Sequence, residues 1–329
     1  MICEGKASID GLAEQLLEGD DRALSRALSQ VERGGDLAES LLARLYPHTG
    51  RAHVVGITGS PGSGKSTLTR ALARAARGVG LTVGIIAVDP SSPFSGGSIL
   101  GDRIRMNDVA VELGVFVRSL ATHGALGGLS RAASDSIDLM DAAGRQLIFV
   151  ETVGVGQDEV EIMRTVHTVI VVSVPGLGDE IQTLKAGILE ISDIHVVNKM
   201  DRDGADRVMA ELRSMLTLDR VRTKGSWLPQ VLGCVALSEQ GVPHLLVAIR
   251  DHLTHLQTSG ELEQRRRRIA KARLLAIVHD LLSEASARQD YSCDDLLEGL
   301  VTRKLAPYAG GRALLARLAQ CPNGGTRDV

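Results

Sequence analysis

Seven short apolar runs, each rich in valine and isoleucine, lie between residues 51 and 256 and alternate with stretches of helical periodicity. Each run is apolar at nearly every position, so it predicts a strand buried on both faces of a parallel sheet. The runs are AHVVGIT, TVGIIAV, VFVRSL, QLIFVET, TVIVVSV, DIHVVNK and QVLGCVAL. We therefore predict an α/β fold with a doubly wound, mainly parallel sheet and helical extensions at both ends.

The flanking sequence predicts helices on either side of this domain. Apolar residues at spacings of three and four indicate an N-terminal helical arm over residues 1–50, a P-loop domain over 51–256 and a helical C-terminal region over 257–329. The basic run Arg265–Arg268 is expected on the solvated face of a helix, with contact to phosphate or an acidic partner as the alternative. We expect the apolar residues that follow to pack inward, namely Leu274, Leu275, Val278 and Leu281.

Composition excludes several functional classes. The net charge of −3 and the 2% aromatic content give no basis for nucleic-acid binding. No apolar run approaches the roughly 20 residues that span a bilayer, so we expect no membrane association and a cytoplasmic protein. The four cysteines form no CxxC pair, which favours free thiols over a zinc site or disulfides.

The segment GSPGSGKST follows the first predicted strand and opens a helix, as a P-loop does. Its glycines let successive amides face the phosphate oxygens, and the helix N-terminus adds positive potential. Lys65 is expected to reach the β- and γ-phosphates, and the Ser66 hydroxyl to bind Mg²⁺. The predicted nucleotide-binding residues of this segment are Gly59, Ser60, Pro61, Gly62, Ser63, Gly64, Lys65, Ser66 and Thr67.

The segment NKMD ends the sixth predicted strand and indicates that the base is guanine. The Asp201 carboxylate can accept two hydrogen bonds from guanine N1–H and the 2-amino group, a donor pair that adenine lacks. Lys199 is predicted to lie along the base plane, and Asn198 either to brace the loop or to contact the base. A second base-side loop is expected at Val235, Ala236 and Leu237, with the Ala236 backbone near the guanine oxygen. The expected nucleotides are therefore GTP and GDP.

The fourth predicted strand ends in ETVGVGQDE, which predicts a metal and γ-phosphate sensor. The Glu151 carboxylate would hold Mg²⁺, and the Gly154 amide would sense the γ-phosphate. Gln157 is a candidate for orienting the attacking water. Two aspartates after the second strand, Asp89 and Asp102, are alternatives for this task or for holding the metal.

A glycine-punctuated segment follows the fifth predicted strand, at the edge of the sheet where ligands and switches gather in such folds. Its residues Asp179, Gln182 and Lys185 are candidates for coupling the nucleotide state to a partner.

Two other functional classes share the P-loop. A small-molecule kinase would require an acceptor site and a general base, and a nickel metallochaperone would require a Cys/His cluster that the sequence does not display.

Together these segments resemble the MeaB/ArgK family of methylmalonyl-CoA mutase-associated GTPases. The resemblance rests on GSPGSGKST, DPSSPFSGGSILGDRIRM, RSLATHGALGGLS, ETVGVGQDE, GLGDEIQTLKAGILEISDIHVVNKMD and LAPYAGGRALLARL, and it covers nearly the whole chain. The main departure is Val235, where the family has serine before the alanine of the second base-side loop, and the C-terminal arm diverges more.

The resemblance implies a P-loop GTPase domain, hydrolysis of GTP to GDP and phosphate with Mg²⁺, and a homodimer formed through the helical extensions. It also implies a chaperone that gates adenosylcobalamin loading and protects methylmalonyl-CoA mutase. The family's additional switch maps onto residues 175–187, with Lys185 as the matching lysine. Older naming of the family implies the alternative of a kinase linked to arginine/ornithine transport.

Overall fold

The computed structural model describes residues 2–89, 114–121, 128–152, 163–176, 192–218, 227–287 and 294–320. These residues form two compact units, one within residues 1–270 and one within residues 271–329. The predicted domain borders at residues 50 and 256 stay predictions. Across the described segments, no helix combines the length and the apolar character that crossing a membrane requires.

The first unit contains a seven-stranded sheet and its covering helices. The strands are β1 (His53–Gly59), β2 (Val83–Asp89), β3 (Val115–Ala121), β4 (Leu147–Thr152), β5 (Thr168–Ser173), β6 (Ile194–Asn198) and β7 (Gln230–Cys234). The helices are α1 (Ile2–Leu17), α2 (Asp21–Arg33), α3 (Asp36–Leu45), α4 (Lys65–Gly78), α5 (Gly128–Ala142), α6 (Ala205–Leu218), α7 (Val242–Ser259) and α8 (Glu261–Ala287), whose last residues enter the second unit. The second unit adds α9 (Asp294–Val301) and α10 (Pro307–Gln320).

All seven strands pair in parallel, in the order β3-β2-β4-β1-β5-β6-β7. The seven predicted strands and the doubly wound class are thereby confirmed. After β1 the chain builds one side of the sheet, and from β5 onward it builds the other. The strand order therefore reverses around β1, and the crevice at the carboxyl end of such a reversal is where ligands bind in open α/β sheets.

Helices cover both faces of the sheet, which explains why the strands lack polar alternation. On one face, α4 and α7 pack against residues such as Ile57, Phe149 and Val172. On the other face, α1, α2 and α3 share a continuous core with α5 and with sheet residues such as Val54 and Val171. The N-terminal helices are thus a layer of the first unit's core.

The link between this N-terminal layer and β1 is held by one buried carboxylate. Asp141, on α5, accepts hydrogen bonds from the amides of Gly50 (2.6 Å), Arg51 (3.1 Å) and Ala52 (3.0 Å). Successive amides that converge on an anion form a strong electrostatic anchor. Asp141 therefore fixes the point where the chain enters the strand that precedes the P-loop.

A buried polar network occupies the amino-terminal edge of the sheet. His53 Nε2 lies 2.7 Å from Thr168 Oγ1, and the same hydroxyl lies 2.8 Å from His252 Nδ1. His252 Nε2 lies 3.3 Å from Asp193 Oδ1, and Arg265 donates two hydrogen bonds to the Asp193 carboxylate, at 2.7 and 2.8 Å. The expectation that Arg265 lies on a solvated face is therefore wrong, because its guanidinium binds an internal carboxylate.

Burial and neighbouring charges in this region lower the pKa values of His53, His167 and Asp193. Burial, followed by the charges of His167 and His252, lowers the pKa of His53 to about 3. Burial, followed by Arg266 and Arg265, lowers the pKa of His167 to about 4. For Asp193, burial would raise the pKa, but hydrogen bonds from Arg265 and His252 lower it to about 2.

We expect acid to destabilise the folded protein well above the pH at which these groups titrate in it. Because the folded-state pKa values of His53 and His167 lie below the unfolded value of 6.5, the unfolded state binds more protons as pH falls below 6.5. The contribution of the two neutral histidines to the free energy of unfolding is complete above pH 6.5 and declines steadily below it. From pH 7 to pH 5 the two histidines together lower the free energy of unfolding by roughly 3–4 kcal/mol.

Denaturant unfolding followed by tryptophan fluorescence checks this expectation. Trp227 is the single tryptophan of the chain, and its ring centroid lies 4.7 Å from that of His252. The His53→Gln variant should show a shallower loss of stability with acid. His279→Gln, which changes a histidine whose side chain is 75% exposed, should match the parent protein. Equal pH dependence of stability in the parent protein and His53→Gln would contradict the lowered pKa of His53.

In the second unit, the apolar residues of α8 are exposed. The exposed fractions are 62% for Leu274, 58% for Leu275, 44% for Val278 and 54% for Leu281. The prediction that they pack inward is wrong for the single chain, because no described helix covers this side. Elsewhere in the unit, Arg317 of α10 donates to both carboxylate oxygens of Asp295 on α9.

Candidate nucleotide site

The P-loop connects the carboxyl end of β1 to the first turn of α4, at the reversal of strand order. Its bends require glycine. Gly59 has φ 140°, and a Cβ there would lie 2.1 Å from the Val172 carbonyl oxygen. Gly64 has φ 87°, and a Cβ there would lie 2.5 Å from the Asn198 amide nitrogen. Both positions therefore combine a left-handed or unusual backbone with the close approach of a neighbouring strand.

Two polar side chains of this loop fit a phosphate group. Lys65 is buried, and its Nζ donates to the carbonyls of Gly59 (2.6 Å) and Ser60 (3.0 Å), so the ammonium lies across the loop. The Ser63 hydroxyl is fully buried and has no hydrogen-bond partner among the described residues. A cation and a buried donor within a curled, glycine-rich loop match the chemistry of a phosphate oxygen cluster.

Ser66 and Glu151 meet at the start of α4. The β1–β4 register pairs Ile57 with Glu151, which brings this carboxylate to the level of the loop. Ser66 Oγ donates to Glu151 Oε1 at 2.5 Å, and the Glu151 side chain is buried. A hydroxyl and a carboxylate are hard oxygen ligands of the kind that Mg²⁺ prefers. The structure thus brings together two of the four residues predicted to bind metal.

The end of β6 is tied directly to the P-loop. Asn198 Nδ2 donates to the Ser63 carbonyl at 2.9 Å, and its Oδ1 accepts from the Ala236 amide at 3.0 Å. Lys199 has φ 59°, and its Nζ donates to the Gly62 carbonyl at 2.8 Å. Asn198 therefore links the phosphate loop to the second base-side loop.

The groups predicted to read the base lie on the solvent side of these braces. Asp201 is exposed, and the preceding Met200 amide donates to the Cys234 carbonyl at 3.1 Å. In the second loop Ala236 is buried, whereas Leu237 is 89% exposed. The Ala236 amide, predicted to lie near the guanine oxygen, donates to Asn198 Oδ1 in this structure.

One brace of this loop was not found from the sequence. Glu239 has φ 60°, and its carboxylate accepts a 2.5 Å hydrogen bond from Arg74 on α4. The pair joins the base-side loop to the helix that follows the P-loop. The two residues are 165 positions apart, so no local spacing could indicate the contact.

Other predicted site residues are placed in part or lie outside the described segments. Pro61 and Thr67 lie in the P-loop and the first turn of α4 as predicted, and Val235 bridges to Gln240. Asp89 ends β2, one strand away from Glu151, and only its backbone is described. The remaining predicted residues lie outside the described residues, namely Asp102, Gly154, Gln157, Asp179, Gln182 and Lys185.

Comparisons with known proteins agree with this geometry. The profile of the family described as methylmalonyl-CoA mutase-associated GTPase MeaB matches residues 24–290. A protein of Pyrococcus horikoshii with a GTPase name is 44% identical over 94% of this chain and 98% of its own length. The GTPase ArgK of Escherichia coli is 41% identical over 79% of this chain and 80% of its own.

A solved structure shows the same architecture. The crystal structure titled LAO/AO transport system kinase aligns with a TM-score of 0.72 and 29% identity, covering 95% of this chain and 98% of that one. The strand order, the P-loop and the guanine-type motif at the end of β6 fit a P-loop protein that binds guanine nucleotides. The chain belongs to the family of methylmalonyl-CoA mutase-associated GTPases and is a GTP hydrolase.

Proposed function

We propose that this GTPase is a chaperone for an adenosylcobalamin-dependent methylmalonyl-CoA mutase, in which GTP binding and hydrolysis gate loading of the cofactor and protection of the mutase. The observation that carries the proposal is the link from the P-loop through Asn198 to the base-side loop, in a chain of the mutase-associated family. A site with such internal links can report the state of the nucleotide to surrounding segments. Asp179, Gln182 and Lys185 are the proposed segment that passes this state to the mutase.

In the proposed complex, the nucleotide runs from the P-loop to the exposed side of β6. Lys65 turns from the Gly59 and Ser60 carbonyls to the β- and γ-phosphates, and the Ser63 hydroxyl donates to a phosphate oxygen. Asp201 accepts from guanine, while the Leu237 side chain shields the base from water. The arrangement exchanges internal hydrogen bonds of the loop for stronger, charge-assisted ones.

We propose that Mg²⁺ is held by Ser66 and Glu151, whose oxygens already lie within hydrogen-bond distance of one another. When bound, the ion neutralises charge on the β- and γ-phosphates. The candidates for completing the metal site and orienting the attacking water are still Asp89, Asp102, Gly154 and Gln157.

Glu151→Gln keeps the shape of the side chain and removes its charge, so half-maximal hydrolysis should require at least about tenfold more Mg²⁺.

A binding experiment tests the chaperone role. Purified chain and a methylmalonyl-CoA mutase are titrated without nucleotide, with GDP and with a non-hydrolysable GTP analogue. We expect a complex whose dissociation constant differs between GDP and the analogue by about fivefold or more, which is the lower range of allosteric coupling. The Lys65→Ala variant is the control that should bind the mutase without a nucleotide effect. A wild-type complex that is indifferent to nucleotide, or no complex, would contradict the proposal.

The alternative is a kinase linked to arginine/ornithine transport, which the name of the related crystal structure favours. Product analysis separates the two functions. A GTPase releases inorganic phosphate in equal amount to GDP. A kinase transfers the phosphate to an acceptor, so a phosphorylated product that appears with arginine or ornithine would support the alternative.

We also propose a homodimer in which the exposed apolar stripe of α8 pairs with a second copy of this chain. The stripe follows helical spacing along one side of the helix. Its members are Leu274, Leu275, Val278, Leu281 and Leu282. A continuous apolar stripe of this length is characteristic of an interface, and self-pairing of one helix gives a closed two-fold contact.

Light scattering after gel filtration tests this dimer. Leu275→Glu combined with Val278→Glu should give a monomer where the parent protein gives a dimer, because two buried charges would face each other. The control is Val247→Glu on α7, where valine is 55% exposed and lies outside the stripe. A parent protein that runs as a monomer would contradict the proposal.

A further inference from the structure

Three buried hydroxyl groups lie behind the nucleotide site, on the sheet face opposite α4. Thr58, Thr152 and Ser173 stand at the carboxyl ends of β1, β4 and β5, three neighbouring strands. Side chains alternate between the faces of a strand, and Glu151 contacts Ser66 on the α4 side. Thr152 therefore points to the other face. Ile57 and Val172 also lie on the α4 side, so Thr58 and Ser173, which directly follow them, point to the same face as Thr152.

None of the three hydroxyl oxygens has a hydrogen-bond partner within the described part of the chain. Their residues are 0%, 1% and 5% exposed, so bulk water does not reach them. A buried hydroxyl without a hydrogen-bond partner has lost its hydrogen bonds to water and gained none in the protein, which lowers the stability of the folded state. Three such groups on adjacent strands would be an unusually large penalty in one place, which indicates a shared partner.

The strand register gives the spacing of this cluster. Ile57 pairs with Glu151, so Thr58 and Thr152 are side by side one residue further along, and Gly59 pairs with Val172, just before Ser173. The three hydroxyls make no direct hydrogen bond to one another, so on strands about 4.8 Å apart a bridging water would give Thr58 and Thr152 a shared partner, with Ser173 two residues further along β5 than the partner of Thr58. Below the cluster, Met163 packs over Gly56, where an added Cβ would lie 2.5 Å from the methionine sulfur.

We propose that Thr58, Thr152 and Ser173 bind ordered water in a closed polar site behind the P-loop, and that this site positions Glu151. The water has several hydroxyl partners, as buried waters in proteins require. It links β1, just before the P-loop, to β4, just after the Glu151 carboxylate. The three residues are positioning residues that act through strand ends. The positioning role rests on the proposed metal function of Glu151, whereas the water site does not.

The sign of a stability change distinguishes bound water from hydroxyls that lack any partner. Thr58→Val and Thr152→Val keep the side-chain shape and remove the hydroxyl. If water is bound, each variant should lower Tm by roughly 2–4 °C, and the double variant should lose less than the sum because both changes break one bridge. The control is Ser136→Ala, which removes a fully buried hydroxyl on α5, outside the three-strand cluster; it should not lower Tm, because alanine favours a helix.

Direct observation and activity complete the test. A crystal structure of the full chain at high resolution should show water within hydrogen-bond distance of Thr58 and Thr152. Variants that raise Tm additively, or density without water there, would overturn the water site.

In hydrolysis assays, Thr152→Val should raise the half-saturating Mg²⁺ concentration about tenfold with KM for GTP unchanged at saturating Mg²⁺. If Glu151→Gln shifts the Mg²⁺ dependence and Thr152→Val does not, the positioning role is wrong. If Glu151→Gln has no effect, the metal proposal fails, and the thermal and diffraction results still decide the water site.

Discussion

Lys65→Ala is expected to weaken GTP and GDP binding about 100-fold or more and to abolish measurable hydrolysis. The ammonium is buried at the P-loop, where charge-assisted hydrogen bonds to phosphate are about twice as strong as neutral ones. Loss of two such bonds accounts for roughly 3 kcal/mol, or about a 100-fold change in affinity. Calorimetric titration with GDP and a GTP analogue measures the change.

The fold should survive this substitution. Lys65 is the first residue of α4, and alanine is tolerated at a helix start. A thermal melt within a few degrees of the parent protein would show that binding, and not folding, is lost. Arg207→Ala is the control for removing a cation, since Arg207 lies on the solvent side of helix α6 with a side chain 84% exposed. Normal GDP affinity in Lys65→Ala would exclude the proposed phosphate site.

Asp201→Asn is expected to reverse base preference from guanine to xanthine. An asparagine amide can still accept from guanine N1–H, but it presents its NH2 group to the 2-amino group, so one hydrogen bond is lost and two donors face each other. Xanthine offers an oxygen in place of the 2-amino group and complements the amide. Sites that recognise a base edge by hydrogen bonds discriminate by large factors, and we expect GTP affinity to fall by about 10³-fold or more while xanthosine triphosphate gains.

The neighbouring Asp203→Asn makes the matched control, because Asp203 is also exposed and follows Asp201 by two residues. It should keep the parent preference for GTP. Competition between GTP and xanthosine triphosphate for both variants measures the ratio of affinities. Unchanged GTP affinity in Asp201→Asn would mean that another group reads the base.

The strands and the phosphate loop could be predicted because their signals are local. A run such as LIFVET is apolar throughout, and a loop such as GSPGSGKST needs each of its glycines where it stands. The proximity of Ser66 and Glu151 could also be predicted, because parallel strands bring their carboxyl ends to one edge of the sheet.

Other features depend on contacts between distant residues and gave no local signal. The pairing of Arg265 with Asp193 was hidden within a basic run that read as a solvated face. The exposed leucines of α8 had the periodicity of buried ones, and periodicity alone does not say whether the covering partner belongs to the same chain. The linkage of Arg74 to Glu239 depends on the αL backbone of Glu239, which sequence does not reveal.

The shared core of α1, α2 and α3 with the sheet has a consequence for synthesis on the ribosome. The sheet residues that these helices cover lie on strands as late as β5, so Leu24 and Leu28 have no completed surface to bury against until residue 171 has emerged. At 5–20 residues per second, this interval is of order ten seconds. During that time the first helices can pack only on one another, and the apolar side chains that later face the sheet are open to holdase chaperones.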